Sequence, residues 1–217
     1  MTDDNALARM IGLSLGRQAR AVHDRVPDLN VLETPSGLLR MMLYELGTEA
    51  GWAIVAGNRA LEAAESKDHQ LFWREIQILL SLAGSASRFI WPDTQRKRQR
   101  ALFPRRGADI QLLMDVTDDN FVALRDLRND VIHMDERFET QWTNNPGKGA
   151  NRLMGGKTSD GSNFLSWTPE TKTLTFLEHD ISLPEVIADL DAIQRRSGEA
   201  FSLMLLVTEV DDETVDD

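Results

Sequence analysis

The stretch HQLFWREIQILLSLAGSASRFI, residues 69–90, decides the architecture. Phe72, Trp73, Ile76, Leu79, Leu80, Ala83, Ala86 and Ile90 recur at spacings of three and four, the period of one face of an α-helix. Asp68 stands where an N-cap would close the first turn, and Trp91-Pro92 ends the run because proline disfavours helical geometry in the residue before it. The small residues Ala83 to Ser87 suit tight helix contact, within the chain or between subunits. Upstream, Thr34-Pro35-Ser36-Gly37 is punctuation with Ser36 as N-cap, and Leu38 to about Glu65 repeats the pattern. Leu39, Met42, Leu43, Leu46, Ala50, Ala53, Ile54 and Leu61 form its apolar stripe. Gly47, Gly51 and Gly57 either weaken that helix or admit a neighbour.

Two further long helices follow from the same reasoning. Thr117-Asp118-Asp119 offers a cap and acidic first-turn residues, so a third helix is expected from about Asp118 to Trp142, with Phe121, Leu124, Leu127 and Val131 buried. Ser182-Leu183-Pro184-Glu185 fits a capping box with proline in the first turn, opening a last helix to about Val207. A short helix or turn is expected at Asp109–Met114. Between the last two long helices, Asn144 to Ser162 holds five glycines and reads as a mobile loop. Phe164 to Trp167, a turn at Thr168-Pro169-Glu170, and Thr171 to Leu177 read as a β-hairpin, which needs the helices beneath it to be stable.

The fold class is therefore mainly all-α: a bundle of four long helices with a small β-hairpin inserted before the last one. Residues 1–35 form an N-terminal segment whose weak periodicity (Leu7, Ile11, Leu15) permits a helix. Residues 36–207 form the helical domain, with the loop and hairpin insertion at 143–180. Residues 208–217 form an acidic tail expected to be disordered.

Composition narrows the function classes. No run approaches the roughly 20 apolar residues needed to span a bilayer, so no membrane partner is expected. Met1 to Asn5 lacks the basic and apolar regions of a signal peptide. Cysteine is absent, which excludes disulfides and thiolate metal sites and makes a reducing cytoplasm the natural compartment. The four histidines, at 23, 69, 133 and 179, form no ligand pair, so neither metal nor cofactor is expected. The net charge of -11 opposes nucleic-acid binding on average. Locally, Arg96, Lys97, Arg98, Arg100, Arg105 and Arg106 lie together without an acid among them. That run is either an RNA-guiding patch or a solvated loop.

The chemistry concentrates at Leu127–Arg137, Leu-Arg-Asn-Asp-Val-Ile-His-Met-Asp-Glu-Arg. On a helix Arg125, Asn129, Ile132, His133 and Glu136 share one face, within reach of the long Arg128 side chain. An imidazole that titrates near neutrality, an amide and a permanent cation suit proton transfer beside a phosphate. The plain alternative is a surface pairing of Arg128 with Asp126 or Glu136 and a packed His133. Asp135, Glu136 and Arg137 suit a carboxylate–arginine network that fixes this helix.

The segment Arg128-Asn129-Asp130-Val131-Ile132-His133 resembles the arginine, polar residue, three variable residues, histidine signature of HEPN domains, which are helical bundles that often act as ribonucleases. Phe72-Trp73-Arg74-Glu75-Ile76-Gln77, Ser87-Arg88-Phe89-Ile90-Trp91-Pro92 and His133-Met134-Asp135-Glu136-Arg137 are similar to bacterial HEPN-like proteins. The resemblance implies a metal-independent endoribonuclease, in which His133 moves the proton of the 2′-hydroxyl or of the leaving 5′-oxygen, Arg128 steadies the phosphorane, and Asn129 orients the phosphate or the imidazole. It also implies RNA as substrate, a homodimer with the site at its interface, and, for a toxin or defence effector, an antitoxin or regulatory protein. The other expectation is a non-catalytic HEPN-like module that binds RNA, a nucleotide or a protein.

Overall fold

The computed structural model describes residues 31–92, 103–117, 120, 121, 124, 139, 143, 151–154, 163–176 and 179–213. Within them lie helices α1 (Ser36–Glu65), α2 (His69–Ile90), α3 (Arg106–Met114) and α4 (Leu183–Glu213), and strands β1 (Asn151–Met154), β2 (Asn163–Thr168), β3 (Thr173–Phe176) and β4 (His179–Ser182). The mainly helical class holds. Two compact units divide the chain: Met1–Glu45 with Asp93–Thr117 and Arg195–Asp217, and Leu46–Pro92 with Asp118–Gln194.

In the second unit α1 and α2 form an antiparallel hairpin whose turn is set by its hydrogen bonds. Asp68 N–H reaches Ala63 O at 2.9 Å and Lys67 N–H reaches Ala64 O at 3.2 Å, a Schellman ending with Lys67 left-handed at φ 59°. Asp68 then serves the next helix: its Oδ1 accepts from Leu71 N–H at 3.0 Å, the expected cap. All eight positions expected to be buried on α2 are buried, and Glu75, Gly84 and Ser87 join them.

The stripe on α1 is narrower than its sequence suggests. Ala50, Ala53, Ala56, Ala60 and Ala63 are in the core, whereas Ile54 and Leu61 are only half-buried. Methyl side chains let the neighbouring helices come close, and Gly57 shows how close. A Cβ built there would lie 2.8 Å from Ile187 Cγ1 on α4 and 3.7 Å from Leu79 Cδ1 on α2. Three helices converge at that glycine, so Gly57 admits a neighbour. The small residues of α2 are likewise used inside the chain: Ala83, Gly84, Ala86 and Ser87 are buried, and Ser85 Oγ donates to Glu49 Oε1 at 2.9 Å. Their placement removes them as a subunit contact.

The expected hairpin is present as β2 and β3, joined through Pro169–Lys172 and paired Thr168↔Thr173 to Leu165↔Phe176. It is the centre of a four-stranded sheet in the order β1-β2-β3-β4, with β1 parallel to β2 and the other pairs antiparallel. Strand β1 falls inside the stretch expected to be loop, because its glycines flank Asn151–Met154 and do not interrupt it. Trp167, Leu174 and Ile181 stand opposite one another across three strands and are all buried. Trp167 meets Phe72 of α2 at 5.0 Å between ring centroids, so the sheet lies on the helices as expected.

Helix α4 begins at Leu183 with the Ser182 hydroxyl accepting from Glu185 N–H at 3.4 Å, half of the expected capping box. It stays helical to Glu213, past the expected end at Val207. The expected third long helix falls mostly outside the described residues, but its start near Asp118 is wrong. Phe121 lies at φ 56°, a left-handed conformation that a right-handed helix cannot contain. Its buried ring packs edge-on against Trp91 at 6.4 Å, and Leu124 is the first described helical residue after it.

In the first unit, the loop before α1 is fixed to α3. The buried Asp109 Oδ2 accepts from Thr34 N–H at 3.0 Å and from Thr34 Oγ1 at 2.6 Å. Thr34 is thereby committed to α3, and α1 starts at Ser36, which is its first residue and not its cap. Asp115, left-handed at φ 52°, ends α3, and Arg196 donates to the carbonyls of Met114 and Asp115. A guanidinium at a helix C-terminus satisfies exposed carbonyls and opposes the helix dipole. Tyr44 and Phe201 meet at 6.1 Å in the same unit.

Candidate functional site

Arg128, Asn129 and His133 lie outside the described residues, as do Asp135, Glu136, Arg137, Arg96, Lys97, Arg98 and Arg100. The anchor of the motif segment is described. Leu124 is fully buried, and its backbone N–H donates to the Asp189 carboxylate on α4. Burial raises the Asp189 pKa above its ordinary value; the bond from Leu124 acts in the opposite sense, and the nearby Glu185 adds to the rise. The chain entering the motif is thus held by one buried leucine and one charge-assisted hydrogen bond.

Two of the basic residues proposed for RNA are described. Arg105 Nη1 pairs with Glu33 Oε1 at 2.9 Å, with both side chains more than half exposed. Arg106 is the first residue of α3 and is half-buried.

The described residues contain a second feature, a trench between α1 and α2 in the second unit. Two adjoining openings of about 420 and 470 Å³ share Arg59, Arg74 and Glu75. One end is apolar, walled by Trp52, Val55 and Ile78, which are 62%, 47% and 40% exposed. Glu62 and Ser66 line the other end. From Trp52 to Ser66 the trench runs about 21 Å at 1.5 Å per helical residue. Trp52, Val55, Arg59 and Glu62 follow one another at intervals of three, four and three, so they form one stripe along α1.

Glu75 is 2% exposed and lines both openings. Its Oε1 accepts from Arg74 Nε at 3.2 Å and Nη2 at 2.7 Å, while the Arg74 side chain stays 65% exposed. The pair compensates a carboxylate that burial alone would penalise. Arg59 makes no ion pair among the described residues. An indole face, branched apolar side chains and two guanidinium groups equip the trench for binding. Its lining holds no imidazole for proton transfer near neutral pH.

Sequence reasoning missed the trench because it sought the apolar stripe that makes a core, and Trp52 and Val55 lie off that stripe. The available signal was a tryptophan on the outer face of a helix whose inner face was already complete. Among the described residues no group of His, Asp and Glu side chains could hold a metal ion, and no helix is long and apolar enough to cross a membrane. Comparison of the chain with protein-family models, curated proteins and solved structures finds no match in any of the three.

Proposed function

We propose that the chain is a metal-independent endoribonuclease of the HEPN type, and that a toxin or defence role would suit it. The observation that carries this reading is the Arg128-Asn129-x-x-x-His133 spacing, entered through the buried Leu124 in a mainly helical chain. The ribose 2′-oxygen attacks phosphorus, the bond from phosphorus to the 5′-oxygen breaks, and the products carry a 2′,3′-cyclic phosphate and a 5′-hydroxyl. His133 removes the 2′-hydroxyl proton or delivers one to the leaving oxygen, Arg128 opposes the charge that builds on the phosphorane, and Asn129 orients the phosphate or the imidazole. One motif per chain supplies one Arg and one His, so two copies would complete a facing pair across a homodimer cleft.

The test is a gel assay of wild-type and His133→Ala protein on total RNA and on a short end-labelled RNA in excess chelator, with analysis of the product ends. Fragments ending in cyclic phosphate, made by the wild type alone, are expected. Cleavage that needs added divalent metal, or that survives the substitution, refutes the assignment. A specific observation favours a second reading, a binding module without turnover: the net charge is -11, and the described residues form an open trench at Trp52. Intact RNA with folded protein decides for it.

A further inference from the structure

The buried Glu75 uses only half of its carboxylate within the fold. Oε1 takes both hydrogen bonds from Arg74, at 3.2 and 2.7 Å, and among the described residues nothing donates to Oε2. A buried acceptor that neither a donor nor water reaches is costly, and Oε2 is not among the sealed polar atoms of the described residues. Because Glu75 lines both openings of the trench, Oε2 is the acceptor they offer to a ligand. The cations beside it also have donors to spare. The Arg74 side chain is 65% exposed and keeps N–H groups beyond the two that Glu75 takes. Arg59 is exposed, lines both openings and makes no ion pair among the described residues.

This arrangement selects a ligand. The spare donors of Arg74 and the spare acceptor of Glu75 belong to one ion pair, joined at 2.7 Å, so they stand side by side. A ligand that uses both must carry an anion and N–H donors equally close together. An α-amino acid does so on a single carbon: its carboxylate matches the planar fork of a guanidinium, and its ammonium matches a carboxylate oxygen. A nucleotide holds its base edge and its phosphate a sugar apart, and a simple amine or acid satisfies only half of the pair. The apolar end then chooses the side chain. Trp52, Val55 and Ile78 line the same opening as Arg59, Arg74 and Glu75, and the 62% exposed indole gives a ring a flat surface to pack on. An opening of about 420 Å³ is the size of a small-molecule site.

We propose that the trench between α1 and α2 binds a free aromatic α-amino acid, with its ammonium on Glu75 Oε2, its carboxylate on Arg74 and Arg59, and its ring against Trp52. The proposal uses none of the residues of the ribonuclease reading, so either can fail alone.

The test is isothermal titration calorimetry of the full chain with L-phenylalanine, L-tyrosine and L-tryptophan. At least one should bind saturably, one molecule per chain. The tightest is then compared with its deaminated analogue, an arylpropionate, and with its decarboxylated analogue, an arylethylamine. Each should bind about tenfold more weakly or worse, the scale of a lost charged hydrogen bond. Glu75→Gln should weaken the amino acid by about tenfold but leave the arylpropionate within about twofold, because that analogue carries no ammonium to lose; general damage to the trench would weaken both. Trp52→Ala, an exposed change whose fold is checked by circular dichroism, should weaken the amino acid and the arylpropionate alike by about tenfold. No saturable binding of any of the three at millimolar concentration overturns the proposal. So does an arylpropionate or adenosine monophosphate that binds as tightly as the amino acid, or an affinity that Glu75→Gln and Trp52→Ala both leave unchanged.

Discussion

Adding one methyl group at Gly57 should destabilise the second unit, although alanine is the better helix former. The Cβ would sit 2.8 Å from Ile187 Cγ1 and 2.9 Å from its Cδ1, well inside the 3.5–4.0 Å at which carbon atoms pack favourably. Glycine-to-alanine exchange in a helix interior returns about 1 kcal/mol, whereas forcing an extra group into a packed site costs about 1–3 kcal/mol. The Ile187 atoms belong to a β-branched side chain with restricted rotamers, which places the clash in the upper part of that range, at about 2–3 kcal/mol, and leaves a net loss of about 1–2 kcal/mol. For a chain of this size that lowers the melting temperature by about 2–8 °C, read by circular dichroism at 222 nm.

Gly51 is the internal control, because its added Cβ would meet the amide end of Gln194, the far end of an exposed and flexible side chain. Gly51→Ala should therefore be neutral or stabilising by up to about 0.5 kcal/mol, part of the propensity gain being lost in moving the amide. A double-mutant cycle isolates the cause. In an Ile187→Ala background, where both clashing atoms are gone, Gly57→Ala should turn stabilising, a coupling of about 1–3 kcal/mol. A Gly57→Ala protein as stable as wild type, or a penalty unchanged by Ile187→Ala, would refute the close approach of the two helices.

Two further substitutions test the polar anchors. Asp109→Ala orphans the buried Thr34 N–H and hydroxyl together and should cost about 2–4 kcal/mol, with Asp109→Asn costing less because it keeps an acceptor; unfolding free energies from urea titration within about 0.5 kcal/mol of wild type would remove the anchor. Asp189 has a folded-state pKa above its ordinary 3.8, so the folded state binds the proton more tightly and ionisation opposes folding. Its contribution to stability is accordingly lost as pH rises through the window above 3.8 and regained on acidification. Asp189→Asn, which keeps an oxygen for Leu124 N–H, should flatten stability against pH across that window, and an unchanged slope would contradict the burial of the carboxylate.

Local rules made several elements legible. Asp68 caps α2, Trp91-Pro92 stops it, and its eight apolar positions are buried, because capping and helical period act over a few neighbouring residues. The β2–β3 hairpin and the Ser182 start of α4 were legible for the same reason. The left-handed Phe121 was not, since its conformation is offset by the packing of its ring on Trp91, thirty positions earlier in the chain. Strand β1 was hidden because Asn151–Met154 acquires strand geometry only by pairing with β2.

The candidate site divides along the same line. The spacing of Arg128, Asn129 and His133 is a property of the chain alone, and chemistry near a phosphate is read from residue types and helical period. The trench exists only in three dimensions, because Arg59 lies on one helix and the Arg74–Glu75 pair on the next, and the turn at Lys67 brings them to one opening. Sequence by itself determined the mainly helical class, the caps and the inward faces, all consequences of short-range sterics and periodic burial. Only the tertiary structure decided that Gly57 marks a close helix approach, that the small residues of α2 are spent within the chain, and that Trp52 stays in water. Those outcomes depend on which faces the neighbouring helices cover, and contacts distant in sequence determine that.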